Sequence, residues 1–159
     1  PMMYAVVNRN YDLLDVLLHF QADPNIQSAN GTTALIMAVG GGDDYMFRHI
    51  MREYQMDQKI YLNLRDFEGK TALMLAAHQG QTDWCERMLY AGADMLMTDV
   101  HGLTALDYAR KCNGGAGDTR LVALLEAKAV EEAKCHAQVD EGLPTNKAVA
   151  VKKPLSFKK

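Results

Sequence analysis

The sequence predicts an all-α protein made of about four helix-turn-helix units stacked side by side. Three observations lead there. Ala5, Ala38, Ala76 and Ala109 stand in matching contexts (P-M-M-Y-A, A-L-I-M-A, A-L-M-L-A and A-L-D-Y-A) at spacings of 33, 38 and 33 residues. A fixed period of this size is the signature of repeats that bury their apolar faces against one another. The tripeptides Q-A-D at 21–23 and G-A-D at 92–94 lie 71 residues apart, one step of 33 and one of 38, so a second feature follows the same ruler. Finally, short apolar stretches alternate with amphipathic ones, and glycines punctuate the chain between them, as expected of paired helices with glycine stops.

The most regular unit is residues 69–94, G-K-T-A-L-M-L-A-A-H-Q-G-Q-T-D-W-C-E-R-M-L-Y-A-G-A-D. Thr71 can cap a short helix over 72–77, Gly80 stops it, a second helix spans 83–90, and Gly92 stops that one. These residues resemble the ankyrin repeat, whose pattern runs G-x-T-P-L-H-x-A-A-x-x-G…L-L…G-A-D. The resemblance covers about residues 1–126. It implies an ankyrin-repeat solenoid with short β-turn fingers, to which the residues add an extended C-terminal helix and a basic tail. The expected units are about 1–27, 28–65, 66–98 and 99–139, with a linker and tail over 140–159.

Taken in order, the chain starts at Pro1-Met2-Met3-Tyr4-Ala5, inside the family pattern, so the first unit is expected to be incomplete and the chain a fragment of a longer one. Its second helix, 11–20, carries Leu13, Leu14, Leu17 and Leu18 as one apolar stripe. The second unit opens at Gly31-Thr32-Thr33-Ala34 and its first helix ends in Gly40-Gly41-Gly42. Asp43 and Asp44 can then cap the next helix. Met46, Phe47, Ile50 and Met51 keep the register, so the five additional residues of this unit fall within about 54–60. No Lys-Ser/Thr follows the triple glycine and no strand precedes it, which argues against a phosphate loop.

In the third unit Trp84 is expected to be buried, with an exposed stacking platform as the alternative. His78 and Cys85 do not have zinc-ligand spacing. The fourth unit, from Gly102, carries about four extra residues in the glycine-rich loop over 111–118. Its second helix starts near 118 and, being rich in Ala and other good helix formers, should run past the stack to about 136, with Lys128 and Glu132 as an i,i+4 pair. Cys135 and His136 are read as solvated.

Composition bounds the function. The 159 residues are 48% hydrophobic and 23% charged, ordinary for one domain. No run approaches the roughly 20 apolar residues of a membrane span, and no signal peptide is visible. Three cysteines at irregular spacing argue against a disulfide framework and for a reducing compartment; the cytoplasm is expected, with the nucleus open. Most of the ten methionines, including Met3, Met37, Met46, Met51, Met74 and Met88, are read as core filler. The net charge of −3 divides into +5 for residues 142–159 and −8 for the rest. There is no clustered basic face of the kind nucleic acid needs, and the acidic body suggests basic or neutral partners meeting an acidic concave face.

The resemblance also says where a partner would bind: the concave face formed by fingers and first helices. The fingers are 28–31, 66–69 and 99–102. The positions expected to face solvent are Ala29, Asn30 and Thr32, then Phe67, Glu68 and Lys70, then Val100, His101 and Leu103. The ends of the first helices add Val7, Asn8, His78, Gln79, Lys111 and Cys112. Phe67, Val100 and Leu103 are apolar where packing does not require it, so Phe67 is either a hot spot or one of several isolated surface hydrophobics. The family's His is replaced by Met3, Ile36, Met74 and Asp107, which puts its hydrogen bonds between repeats in doubt and suggests a softer stack. The capping Thr33, Thr71 and Thr104 remain.

The expected function is that of a module binding another protein or peptide. The alternative is a regulatory domain cut from a larger enzyme or channel, with the basic tail acting in cis. No nucleophile–base pair, carboxylate cluster or metal spacing points to catalysis, and no cofactor is implied. The tail over 147–159 is expected either to occupy the groove, in cis or by self-association, or to serve as a polybasic membrane or nuclear signal.

Overall fold

The structure is a computed structural model that describes residues 1–53, 60–112 and 119–139. Eight helices follow in order: α1 (Met2–Val7), α2 (Tyr11–His19), α3 (Ala34–Gly40), α4 (Asp44–Glu53), α5 (Ala72–His78), α6 (Thr82–Tyr90), α7 (Ala105–Lys111) and α8 (Thr119–Val139). No strand forms among the described residues. The short helices α1, α3, α5 and α7 pack in series as an inner layer, each against its own longer partner behind it.

Each inner helix is too short to persist alone, since isolated helices below about 12–15 residues are marginal in water. Threonine caps start three of them. Thr33 Oγ1 accepts the Ile36 amide and Thr71 Oγ1 the Met74 amide. In α7 the Asp107 that replaces the family's His completes a reciprocal box. Its carboxylate accepts the Thr104 amide at 2.9 Å and the Thr104 hydroxyl at 2.8 Å, while Thr104 Oγ1 accepts the Asp107 amide. The substitution therefore strengthens the start of its own helix.

The core runs unbroken through the stack, from Met2, Ala5 and Leu14 through Phe47, Ile50 and Met74 to Leu121 and Leu125. Alanine at 5, 38, 76 and 109 is wholly buried in every unit, because inner helices approach too closely there for a larger side chain. Of the methionines expected inside, Met46, Met51, Met74 and Met88 are buried, but Met3 and Met37 are only half-buried. Trp84 is buried, stacked on Phe47 with ring centroids 4.7 Å apart.

Successive units are tied by polar groups that recur in register. Asn25 Oδ1 accepts the Tyr61 amide at 2.7 Å, and Asn63 Oδ1, its counterpart one unit on, accepts the Asp94 amide at 2.8 Å. Gln27 Nε2 donates to the carbonyls of Gly31 and Arg65, and Gln79 Nε2 to that of Gly40. These side chains carry bonds between units in a chain that lacks the family's histidine.

Helix ends follow the expected glycine stops, with one exception of physical interest. Gly42, Gly80 and Gly92 adopt positive φ, and in the first unit the matching positions are held by Arg9 (φ 50) and Gln21 (φ 56). A side chain in this region costs about 1–2 kcal/mol. Gln21→Gly is therefore expected to raise stability by about 0.5–1 kcal/mol, measured by urea unfolding; a loss of stability would show that the glutamine side chain makes good the strain.

Helix α8 begins near the expected residue and extends three residues beyond the expected end. Leu121 and Leu125 are buried, whereas Val130, Glu131 and Lys134 are exposed. Lys128 pairs with Glu131 at 3.1 Å and sits 5.4 Å from the centre of the Tyr90 ring; the side chain of Glu132 lies outside the described residues. So do the side chains of Cys135 and His136, the insertion over 54–59, the loop over 113–118 and the segment from 140 on.

Candidate functional site

The fingers are built by the side chain that opens each of them. Asp66 Oδ1 accepts the amides of Glu68 and Lys70 at 3.0 and 2.9 Å, and Asp99 Oδ1 those of His101 and Leu103 at 2.8 and 2.9 Å. Ser28 Oγ does the same for Asn30 and Thr32. This is how Asp and Ser mimic a backbone turn, and it leaves the two middle residues of each finger pointing outward. Fingers also join through the backbone: the Phe67 amide donates to Asn30 O at 3.1 Å and the Val100 amide to Glu68 O at 3.0 Å.

The outcome for the expected contact residues is mixed. Ala29, Asn30, Phe67, Glu68, Val100 and His101 are exposed at the finger tips, with Phe67 at 75%. His78, Gln79 and Lys111 are exposed at the ends of inner helices, as are Val7 and Asn8. Thr32, Lys70 and Leu103, each following a finger glycine, are only half-buried rather than fully exposed, because the chain there already turns back toward the helix. Lys70 is further engaged by an ion pair with Glu68; that bond, rather than burial, holds the Glu68 carboxyl below its ordinary range and raises the Lys70 ammonium. Cys112 is a clear correction. It is buried, because α7 ends in an extended residue there that turns its sulfur inward against the preceding unit. A Cβ placed on Gly80 would lie 3.0 Å from that sulfur.

One column of the face was not expected. Tyr4, Met37, Leu75 and Tyr108 each precede one of the anchoring alanines. Tyr4 is 67% exposed and the other three are half-buried. The same register that aligns Ala5, Ala38, Ala76 and Ala109 could have found them. Tyr108 packs edge-on to His78 with centroids 5.8 Å apart, and its hydroxyl donates to Asp99 Oδ2 at 2.7 Å.

That bond has a pH signature. Burial first, then the Asp99 carboxylate, pushes the Tyr108 hydroxyl up from 10.0 to about 12. Burial would raise Asp99 as well, but the bonds from Tyr108, Leu103 and His101 outweigh it and hold the carboxyl below 3.8. For Tyr108 the folded state keeps the proton longer than the unfolded chain does. Its contribution is therefore full below pH 10.0 and lost as pH rises toward about 12. Thermal melts across that range should fall more steeply for the native chain than for Tyr108→Phe; parallel curves would show that the bond does not matter.

Acids lie on both sides of the stack. Asp12, Asp15, Asp44, Asp83, Glu126 and Glu131 are exposed on the outer helices. On the inner side Asp66 and Asp99 close the finger turns, Asp107 closes its capping box and Glu68 is paired with Lys70. These inner-side carboxylates are thus each engaged by backbone donors, a hydroxyl or an ammonium. Among the described residues no group of three or more His, Cys, Asp or Glu side chains could hold a metal ion.

A family model described as "Ankyrin repeats (3 copies)" matches residues 2–99. The chain belongs to the ankyrin-repeat family. Ankyrin repeats are in general protein–protein interaction modules, and the family is in general non-catalytic. Similar proteins include the palmitoyltransferase AKR1 of Lachancea kluyveri, 29% identical over 68% of this chain and 14% of that protein. Rabankyrin-5 of Homo sapiens is 35% identical over 45% of this chain and 6% of its own length. The neurogenic locus notch homolog protein 1 of Xenopus laevis is 34% identical over 61% and 4%. The chain thus spans a small fraction of the relatives it matches, so the likeness is one of ankyrin repeats and not of whole proteins. No helix among the described residues is long and apolar enough to cross a membrane.

Proposed function

We propose that this ankyrin chain docks a partner protein or peptide across the face formed by its fingers and inner helices. The observation that carries the reading is apolar surface that the fold itself does not use. Phe67 and Val100 are 75% and 63% exposed at successive finger tips, beside the column of Tyr4, Met37, Leu75 and Tyr108. Aromatic residues in the centre of a polar-rimmed patch are the usual energetic anchors of a protein interface. The residues in reach of a partner are Ala29, Asn30, Thr32, Phe67, Glu68, Lys70, His78, Gln79, Val100, His101, Leu103 and Lys111.

Phe67→Ala should weaken capture of partners from a cell extract by roughly 2 kcal/mol or more in affinity, and change folding stability by less than about 0.5 kcal/mol. The control is Tyr90→Ala, which removes an equally exposed ring from the C-terminus of α6. Equal losses from the two variants, or a matching drop in stability for Phe67→Ala, would defeat the reading.

The net −8 outside the tail favours basic or neutral partners at long range. A second reading, regulation within a larger protein, is supported by the relatives, where the matched stretch is a small part of much longer chains that include an enzyme. The basic segment over 142–159 would then act in cis on these repeats.

A further inference from the structure

The row formed by the C-terminal ends of the inner helices has a gap in it. The first unit places Val7, Asn8 and Arg9 there, and the third places His78, Gln79 and Gly80, but the second has Gly40, Gly41 and Gly42. Three consecutive residues without side chains open a cleft between units one and two. It has a volume of about 320 Å³ and is lined by Val6, Val7, Met37, Ala38 and Gly41, with Arg9 and Asp43 as its charged groups. The lining is apolar on the inner-helix side and carries one exposed cation.

Arg9 is placed there at a cost. It holds a left-handed backbone (φ 50) at the position that glycine occupies in the next two units. A non-glycine residue kept in that region is a pointer to function. Its guanidinium side chain is 65% exposed, and its Nε lies 3.7 Å from Asp43 Oδ2, beyond hydrogen-bonding distance. Asp43 is itself 9% exposed and is engaged elsewhere: Oδ1 accepts the Met46 amide that opens α4, and Oδ2 accepts the Tyr11 hydroxyl. The carboxylate is turned to the fold and the guanidinium to solvent.

Further along the same row stand His78 and Lys111, both exposed. The inward-facing acids close turns or pair with Lys70, as described above. Along this row of helix ends the exposed charges, Arg9 and Lys111, are cations, whereas the carboxylate at the cleft, Asp43, is turned to the fold. At physiological salt the field of the outer-helix acids is screened over about 8 Å, so contact chemistry is decided by the residues at hand.

We propose that the cleft is an anchor site for an extended partner segment that presents an apolar side chain flanked by carboxylates. The apolar side chain enters between Val6, Val7 and Met37 where unit two lacks side chains. Its acidic neighbours meet the Arg9 guanidinium, which can bind a carboxylate through two parallel hydrogen bonds, and, further along the row, the Lys111 ammonium. This rests on the docking reading above and gives it a partner chemistry: acidic at the contact rather than basic.

The test uses a random-peptide library displayed on phage, panned on the immobilised chain. Enriched peptides should carry Asp or Glu beside an aliphatic or aromatic residue. Their affinity, measured with synthetic copies, should fall about tenfold on Arg9→Gly, the loss typical of one charge-assisted contact. Gly41→Gln, which copies the residue that unit three holds there, should close the cleft and weaken them comparably. Both variants should fold, because glycine suits φ 50 and Gln79 already occupies the same backbone geometry as Gly41; melting curves verify this. Peptides lacking acids, or acidic ones indifferent to both variants, overturn the cleft proposal. If they still weaken on Phe67→Ala, the docking face stands without the cleft. Peptides that ignore all three substitutions, or a library in which nothing is enriched, overturn both.

Discussion

Replacing Trp84 with alanine is expected to lower stability by about 3–5 kcal/mol. The indole is 4% exposed and joins the outer helices of units two and three. Its ring lies on Phe47 of α4 at 4.7 Å with planes 21° apart, and its Nε1 donates to Asp44 Oδ1 at 3.0 Å. The same hydrogen bond is the main reason the Asp44 carboxyl sits below its ordinary value, helped by Arg48 at 2.7 Å and opposed by burial. Alanine would remove the stack, open a cavity beside Phe47, and take the indole donor from Asp44. Because repeats are held by nearest-neighbour contacts, the unfolding transition should also broaden as the two halves of the stack become less coupled. Trp84→Phe keeps a ring against Phe47 and should lose less, about 1–2 kcal/mol from the missing hydrogen bond. Urea unfolding monitored by circular dichroism measures all three quantities. A loss under about 1 kcal/mol for Trp84→Ala would mean that the site collapses around the missing ring and that the bridge is not a main tie between units.

Gly69→Ala is expected to cost about 2–5 kcal/mol, the sum of two separable effects. The first is conformational: φ is +75, where a side chain costs about 1–2 kcal/mol. The second is steric. A Cβ at this position would lie 3.0 Å from both Asp99 Cα and Val100 N, backbone atoms of the next finger that cannot swing aside. Gly102 separates the two effects. Its φ is +76, but nothing lies within 4 Å of a Cβ there, so Gly102→Ala should show only the conformational loss. Gly31, with Asp66 Cα at 3.1 Å, should behave like Gly69. If Gly69→Ala and Gly102→Ala lose the same stability in parallel urea titrations, the fingers are not closely packed and their backbone bonds are weaker than the geometry implies.

These two sites differ in how much of them could be read in advance. The finger glycines lie on the 33- and 38-residue ruler, and their left-handed backbone follows from the Asp-x-x-Gly turn alone. What the sequence could not separate is Gly69 from Gly102, since the difference is whether another finger stands beside the glycine. Trp84 could be assigned to the inside of an amphipathic helix, but its bond to Asp44, forty residues away, depends on how two outer helices meet. Asp107 shows the converse. As a departure from the family pattern it suggested a loss, and in place it closes a capping box that its own sequence position, three residues after Thr104, already permitted.

The candidate face divides in the same way. The finger tips Phe67, Glu68, Val100 and His101 were legible because a two-residue turn tip has nowhere to go but solvent. The column of Tyr4, Met37, Leu75 and Tyr108 was not. Their register was there to be read, but the period alone does not say which apolar positions of an inner helix the neighbouring units leave open. Cys112 failed for a related reason: whether the residue that follows α7 turns in or out depends on the space left by Gly80 in the preceding unit.

The sequence by itself determined the repeat, its period, the pairing of short and long helices, the caps and the finger turns. All of these are set within a few residues along the chain, by hydrophobic spacing, by Thr and Asp side chains and by glycine. The tertiary structure alone opened the cleft beside Arg9. It also decided which glycines have a neighbour and which aromatic rings tie the units together. Those properties arise between units, where residues more than thirty positions apart meet, and no local pattern records the distance between them.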